Sequence, residues 1–539
     1  METELLQSMF AGMVQAVQTI GEYKYTFVDL LTDVNDIINT VIWVRIGLWL
    51  LIGTGIILTC LTGFFQVTHV GHWMKKTIGG VFHKSAHNKK EKASVSQFQA
   101  LCTALAATIG TGNIAGVAAA ITIGGPGAVF WMWVAAFFGM MTNFSENILG
   151  IFFRRKNKNG EWSGGAMYYL QDGLGGKDKS KFFQVIGRVL AILFAICAIL
   201  AAFGIGNMGQ INKITLNMQS AFFDKVELQP LFGVLPTVPT IIGVIIMAVG
   251  AVIIIGGVKR IAAVAEKVVP FMAILYILGA LVIILNHISS VGPAFASIFK
   301  LAFGMKAVAG GTAGYLFKQA VVQGCKRGVF SNEAGLGSSV MVHSNSDVKE
   351  PVKQGLWGIF EVFADTIVVC SMTALVVLTS GYINLETGAF VAPKGISDAN
   401  LVAKAFGNVF GAPGEWFIAI AVFLFAFTTV LGWSHYGSKA VEYLINEKAV
   451  IAFRIIFVGF MIVGAISTSS LAWDVSDTFN GMMMIPNLIG VLSLSPLVFK
   501  LTKNYTDRRI KGKKDVKPML SYDPEIQKEH EALVEAGAE

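Results

Sequence analysis

The chain has 539 residues, 54% of them hydrophobic and only 14% charged. A soluble domain carries roughly 25% charged residues, so this balance excludes a disordered chain, a coiled coil and an ordinary soluble enzyme. It leaves a polytopic membrane protein, and the formal net charge of +8 has to be judged by where it lies.

Residues 1–42 form a polar or amphipathic arm. Glu2 and Glu4 stand where a cleavable signal would need basic residues. The arm is expected on the extracellular surface. A helix needs about 20 apolar residues to cross roughly 30 Å of hydrocarbon. About eleven runs meet that length. A leader helix covers residues 43–65. Core helices 1 to 5 cover 97–122, 127–153, 183–208, 239–258 and 267–288, within a first unit of 97–288. Core helices 6 to 10 cover 312–342, 355–380, 412–436, 448–468 and 478–500, within a second unit of 312–500. Residues 501–539 are polar, basic first and acidic later, and are expected to be a disordered cytoplasmic tail.

Lys and Arg set the orientation. With eleven spans, 29 of the 42 fall on one side and eight on the other. The basic side is therefore read as cytoplasmic, with the N-terminus outside. The charge is then an orientation signal and implies no nucleic-acid partner.

The segment Phe98–Glu146 aligns without gaps on Phe317–Asp365, pairing Asn113 with Asn332, Gly116 with Gly335 and Glu146 with Asp365. Five spans separate the copies. An odd number reverses the second copy, which is the inverted repeat of secondary transporters. Both copies carry helix-weakening residues at mid-span: Thr108–Gly116 (TIGTGNIAG) and Gly324–Gly335 (GCKRGVFSNEAG). Unwound backbone at that depth survives where it lines a cavity or is buried in protein. Freed amides there suit a carboxylate, and freed carbonyls suit a hard cation such as Na⁺. Glycine-mediated helix packing is the alternative reading of such residues.

At these residues the sequence resembles the alanine/glycine:cation symporter family, across about Trp43 to Lys500. The motifs are Phe98–Ala107 with Gly110–Gly116, Gly124–Trp133 (GGPGAVFWMW), Gly164–Leu170 (GGAMYYL), Gly206–Gln210 (GNMGQ), Gly328–Gly337 (GVFSNEAGLG) and Leu431–Gly437 (LGWSHYG). The resemblance implies an all-α fold of the leucine-transporter type, five helices plus five inverted helices, with helices 1 and 6 discontinuous. It implies import of alanine or glycine with Na⁺ across a prokaryotic plasma membrane. An H⁺-coupled symporter of the same fold is the nearer alternative, and a channel a more distant one.

The residue readings follow. Thr111, Gly112 and Asn113 offer backbone amides for the substrate carboxylate. Gln210, read as the end of core helix 3, could donate to it. Phe330 and Ser331 lie at the helix 6 break, Phe330 as pocket wall or gate. Thr429 and Trp433 are four apart on core helix 8 and so share a face. The resemblance sets both against the substrate, with the indole limiting its size. Thr108 and Ile109 on helix 1, with Thr428 and Thr429, are candidates for Na⁺. Alternatively the threonines bond their own helix and Trp433 anchors at the interface. Charges inside a span cost about 2.5–3.5 kcal/mol each at mid-depth, so Arg327 is expected to pair with Glu146, Glu361 or Asp365.

No Walker motif, Gly-x-Ser-x-Gly or His-Glu-x-x-His is present, and the five cysteines form no Cys-x-x-Cys pair. His69, His72, His83 and His87 are read as solvated or headgroup-facing. The sequence thus calls for no cofactor or transition metal, only a coupling ion, an amino acid and a bilayer.

Overall fold

The computed structural model describes residues 27–81, 94–303 apart from 225, 227 and 232–234, 312–467 apart from 394, 395 and 397, and 471–535. Most of the N-terminal arm, together with His83 and His87, lies outside these residues.

The molecule is a bundle of helices with one two-stranded hairpin, Arg155–Lys156 against Trp162–Ser163. α1 runs as Phe27–Thr40, a π turn Val41–Gly47, and Leu48–Leu61, so the leader helix takes in the last third of the expected arm. α2 (Gln97–Thr108) and α3 (Gly112–Gly124) are the halves of core helix 1 and meet at 51°. Next come α4 (Gly127–Phe152), α5 (Lys181–Phe222), α6 (Thr237–Ile254), α7 (Val258–Asn286) and the shorter α8 (Ile288–Ala302). The second half holds α9 (Thr312–Asn332), α10 (Pro351–Thr379), α11 (Asp398–Phe410), α12 (Ala412–Leu444) and α13 (Ala449–Ile466). It ends with α14 (Leu471–Ser493) and α15 (Ser495–Ile510), which are bent by 59° at their junction, and α16 (Pro524–Glu535).

Among the described residues eight helices are long and apolar enough to cross a membrane, or ten if each bent pair is one span. Eleven were expected. The one that fails the test is core helix 6, because α9 carries Lys318, Lys326 and Arg327 along a mixed sequence. It is held inside protein instead: a Cβ on Gly324 would lie 2.2 Å from the Ala128 carbonyl oxygen of α4, and one on Gly328 3.1 Å from Met132 Cγ. Those glycines therefore serve close helix packing and do not break α9. The break comes later, at Glu333–Ser339, where Glu333, Gly335 and Gly337 have φ of +55°, +92° and +72°.

Two further corrections concern helix ends. α5 does not stop near Met208. It passes through a π turn at Gly204–Met208 and continues to Phe222, so Gln210 sits inside the helix. The tail is ordered through Glu535. Arg508 and Arg509 both bind the Glu350 carboxylate, Tyr522 N donates to Phe152 O at 2.9 Å, and α16 sets His530 against Trp162. Some of the basic loops expected on one side do meet: Lys439 donates to Trp162 O at 3.1 Å, and His72 meets Tyr505 at 3.1 Å.

Candidate functional site

Core helix 1 opens at Ile109, whose ψ of 85° leaves the helical region. The Gly110 N–H, now without a helical acceptor, is taken by Asn113 Oδ1 at 2.9 Å. Asn113 Nδ2 then donates to Asp365 Oδ1 at 2.7 Å, on the π turn Phe363–Cys370 of α10. Its partner in the aligned segment behaves alike. Asn332 Oδ1 accepts from Ala334 N at 3.0 Å, and its amide donates to Thr366 Oγ1 at 3.0 Å. Two asparagines, each at the lip of a break, therefore dock on consecutive residues of one turn. Ser331 Oγ joins them, donating to Asp365 Oδ1 at 3.1 Å.

The other side of the break faces α5 and α12. A Cβ on Gly110 would lie 2.4 Å from Thr429 Oγ1, and one on Gly206 2.4 Å from Trp433 Cβ. Only glycine permits these approaches. Gln210 Oε1 accepts from Thr111 Oγ1 at 3.0 Å and from Thr111 N at 3.4 Å. An acceptor oxygen thus stands where a substrate carboxylate was expected. Asn113 N donates to Gly110 O at 3.3 Å, so of the three expected amides those of Thr111 and Asn113 already have protein acceptors.

A small cavity of about 10 Å³ lies at this crossing. Its walls include Thr108, Gly110, Gly112, Gln210, Phe330, Thr429 and Trp433, and also Ile205, Glu333 and Asn480. A second cavity of about 60 Å³ is lined by Thr111, Phe330, Arg327, Lys213 and Ala119. Phe330 lines both. Neither glutamate nor asparagine had been assigned a wall position. Asn480 lies in no motif, whereas Glu333 stands in the middle of Ser-Asn-Glu-Ala-Gly and could have been suspected.

Several expected residues sit elsewhere or act otherwise. Ser331 turns to Asp365. Thr428 bonds Leu424 O at 2.9 Å and Phe425 O at 3.0 Å and faces Met272, the self-bonding alternative. Thr429 also donates to Phe425 O at 3.0 Å, while its oxygen stays against Gly110. Arg327 pairs with none of the three carboxylates. Glu146 accepts from Asn487 at 2.5 Å, Glu361 meets His343 at 3.0 Å, and Asp365 takes the Asn113 amide and the hydroxyls of Ser331 and Thr366. Arg327 instead lines the second cavity, 5.9 Å from the Phe330 ring. The charge that does pair is Lys326, to Asp477 at 2.6 Å and Asn39 at 3.1 Å.

A polytopic bundle whose broken helix lines a small polar cavity between crossing helices has the architecture of a secondary transporter. The likeness to solved structures agrees on the fold. The transporter MhsT, crystallised with L-phenylalanine, matches at a TM-score of 0.50 and 13% identity over 77% of this chain and 99% of its own. A family model described as the sodium:alanine symporter family matches residues 28–519, and the chain belongs to that family. It is 42% identical to the sodium/alanine symporter AgcS of Methanococcus maripaludis, over 89% of this chain and 98% of that one. A Bacillus subtilis protein described as a probable sodium/glutamine symporter, GlnT, is 36% identical over 90% and 93%. The protein is a multi-pass membrane transporter, a cation-coupled amino-acid symporter and not an enzyme.

Proposed function

We propose that the protein imports alanine or glycine together with Na⁺, by alternating access around the central cavity. The observation that carries this is the crowding at the helix 1 break. Trp433, Ile205 and Phe330 line the cavity beside a small substrate, while the Thr429 hydroxyl stands against the opened backbone at Gly110. The substrate carboxylate takes the place that Gln210 Oε1 holds at Thr111, so Gln210 swings aside on binding. Carbonyls of Thr108 and Ile109, with the Thr429 hydroxyl, are the Na⁺ ligands. Thr428 is the weaker candidate because its hydroxyl faces Met272, whereas that of Thr429 stands against the opened backbone at Gly110.

Na⁺ binding would order the opened segment and so raise amino-acid affinity, and linkage makes the effect reciprocal. The relation of the Phe98–Glu146 and Phe317–Asp365 segments is read as an inverted repeat, whose halves rock about the cavity. The basic loops that meet support placing their side in the cytoplasm. The test is the Na⁺ dependence of alanine binding to the purified protein. Binding should tighten at least tenfold as Na⁺ replaces K⁺, and indifference to Na⁺ would refute the assignment.

A further inference from the structure

Among the described residues, the second cavity has two cations and no carboxylate on its wall: Arg327 from α9 and Lys213 from α5. Thr111, Phe330 and small residues of α3 complete it. Lys326 and Arg327 are neighbours in sequence but differ in what they meet. Lys326 is matched by Asp477 at 2.6 Å. Arg327 Nε is buried without a hydrogen-bond partner, and the guanidinium stands 5.9 Å from the Phe330 ring centre. That distance is the outer limit of a cation–π contact, so the ring offsets little of the charge. A guanidinium carries five N–H donors and keeps its proton in a protein. It cannot become neutral to escape the cost of a charge without a counter-charge inside a span. Two like charges on one wall also focus a positive potential into the cavity.

We propose that the second cavity binds a small monovalent anion, held by the Arg327 guanidinium with Lys213 adding charge. A single water needs roughly 10–15 Å³ of such space. The cavity's 60 Å³ or so therefore accepts a chloride ion or a carboxylate of acetate size, and excludes a long polyhydroxy acid such as gluconate. The planar guanidinium fork suits a carboxylate in particular, because it can donate two parallel hydrogen bonds. Two sources share this chemistry. One is an inorganic anion of the medium, and the other is the carboxylate of an amino acid outside the central cavity. Phe330 lines both cavities, so an occupant of the second lies one ring away from the first.

The test uses the purified full-length protein in detergent, without amino acid and at one fixed Na⁺ concentration. Chloride or acetate replaces gluconate stepwise, and the thermal unfolding midpoint is read at each step. A ligand of the folded state raises that midpoint with its concentration. In the wild type the midpoint should climb and level off, gaining about 1–2 °C in either anion. Arg327→Gln should abolish the gain. Arg327→Lys keeps the charge and should retain the gain in chloride, which separates loss of the site from damage to the fold. Lys213→Gln should shift the half-maximal concentration upward severalfold. Repeating the chloride series with saturating L-alanine identifies the source. Cancellation of the chloride gain supports a site that also takes the substrate carboxylate, and persistence of the gain supports an inorganic anion. No saturable gain in the wild type, or one that Arg327→Gln leaves unmoved, overturns the inference. The first series contains no amino acid, so its failure is distinct from failure of the proposed function.

Discussion

Thr429 and Gly110 show how much one atom decides. The hydroxyl fills the space that any side chain at position 110 would need. Gly110→Ala should therefore abolish alanine uptake while leaving expression intact, read by transport in vesicles beside an immunoblot. Thr429→Val keeps the shape and removes the oxygen. We expect a tenfold or greater rise in the Na⁺ concentration for half-maximal uptake, and Thr429→Ser should restore most of it. Thr429, Trp433, Gly112 and Phe330 were all legible in the sequence, through motif and four-residue spacing. Asn480 was not. Its place on the wall depends on how α14 packs across the bundle, and nothing local in its sequence reports that.

At the scale of elements, the two asparagines and the α10 turn form one joint. Asn113 both caps the opened helix and holds Asp365. Asn113→Ala removes a hydrogen bond to a buried charged group, worth about 1–3 kcal/mol, and should lower the thermal unfolding midpoint measurably in detergent. The breaks themselves were half readable. In helix 1 the Gly-Thr-Gly-Asn run opens where expected. In helix 6 the first glycines were mistaken for the break because composition does not separate a packing glycine from a turn glycine. Only the fold does, by placing Ala128 and Met132 of α4 against Gly324 and Gly328. The end of core helix 3 was misjudged for a related reason. Gly204 and Gly206 bulge the helix into a π turn, so it continues past them.

At the scale of the whole molecule, the apolar composition defined the class, and the tail was the main surprise. Polarity suggested disorder, but buried pairing to Glu350 and packing on Trp162 hold the tail down. His530 carries a checkable consequence. Burial, then the charges of Arg154, Lys349 and Lys156, push it from 6.5 down to about 3, with Glu529 nearby on Lys156. It is neutral when docked. Docking is at full strength above the free value and weakens as pH falls from 6.5 towards about 3. Limited proteolysis should cut the tail faster below about pH 6 than above about pH 7. His530→Phe should flatten that dependence.

The central claim concerns coupling, and one measurement addresses it most directly: labelled alanine uptake into proteoliposomes with an imposed inward Na⁺ gradient, an inward H⁺ gradient, or neither. Accumulation above equilibrium driven by Na⁺ alone is the predicted result. Accumulation driven by H⁺ with no response to Na⁺ would contradict it.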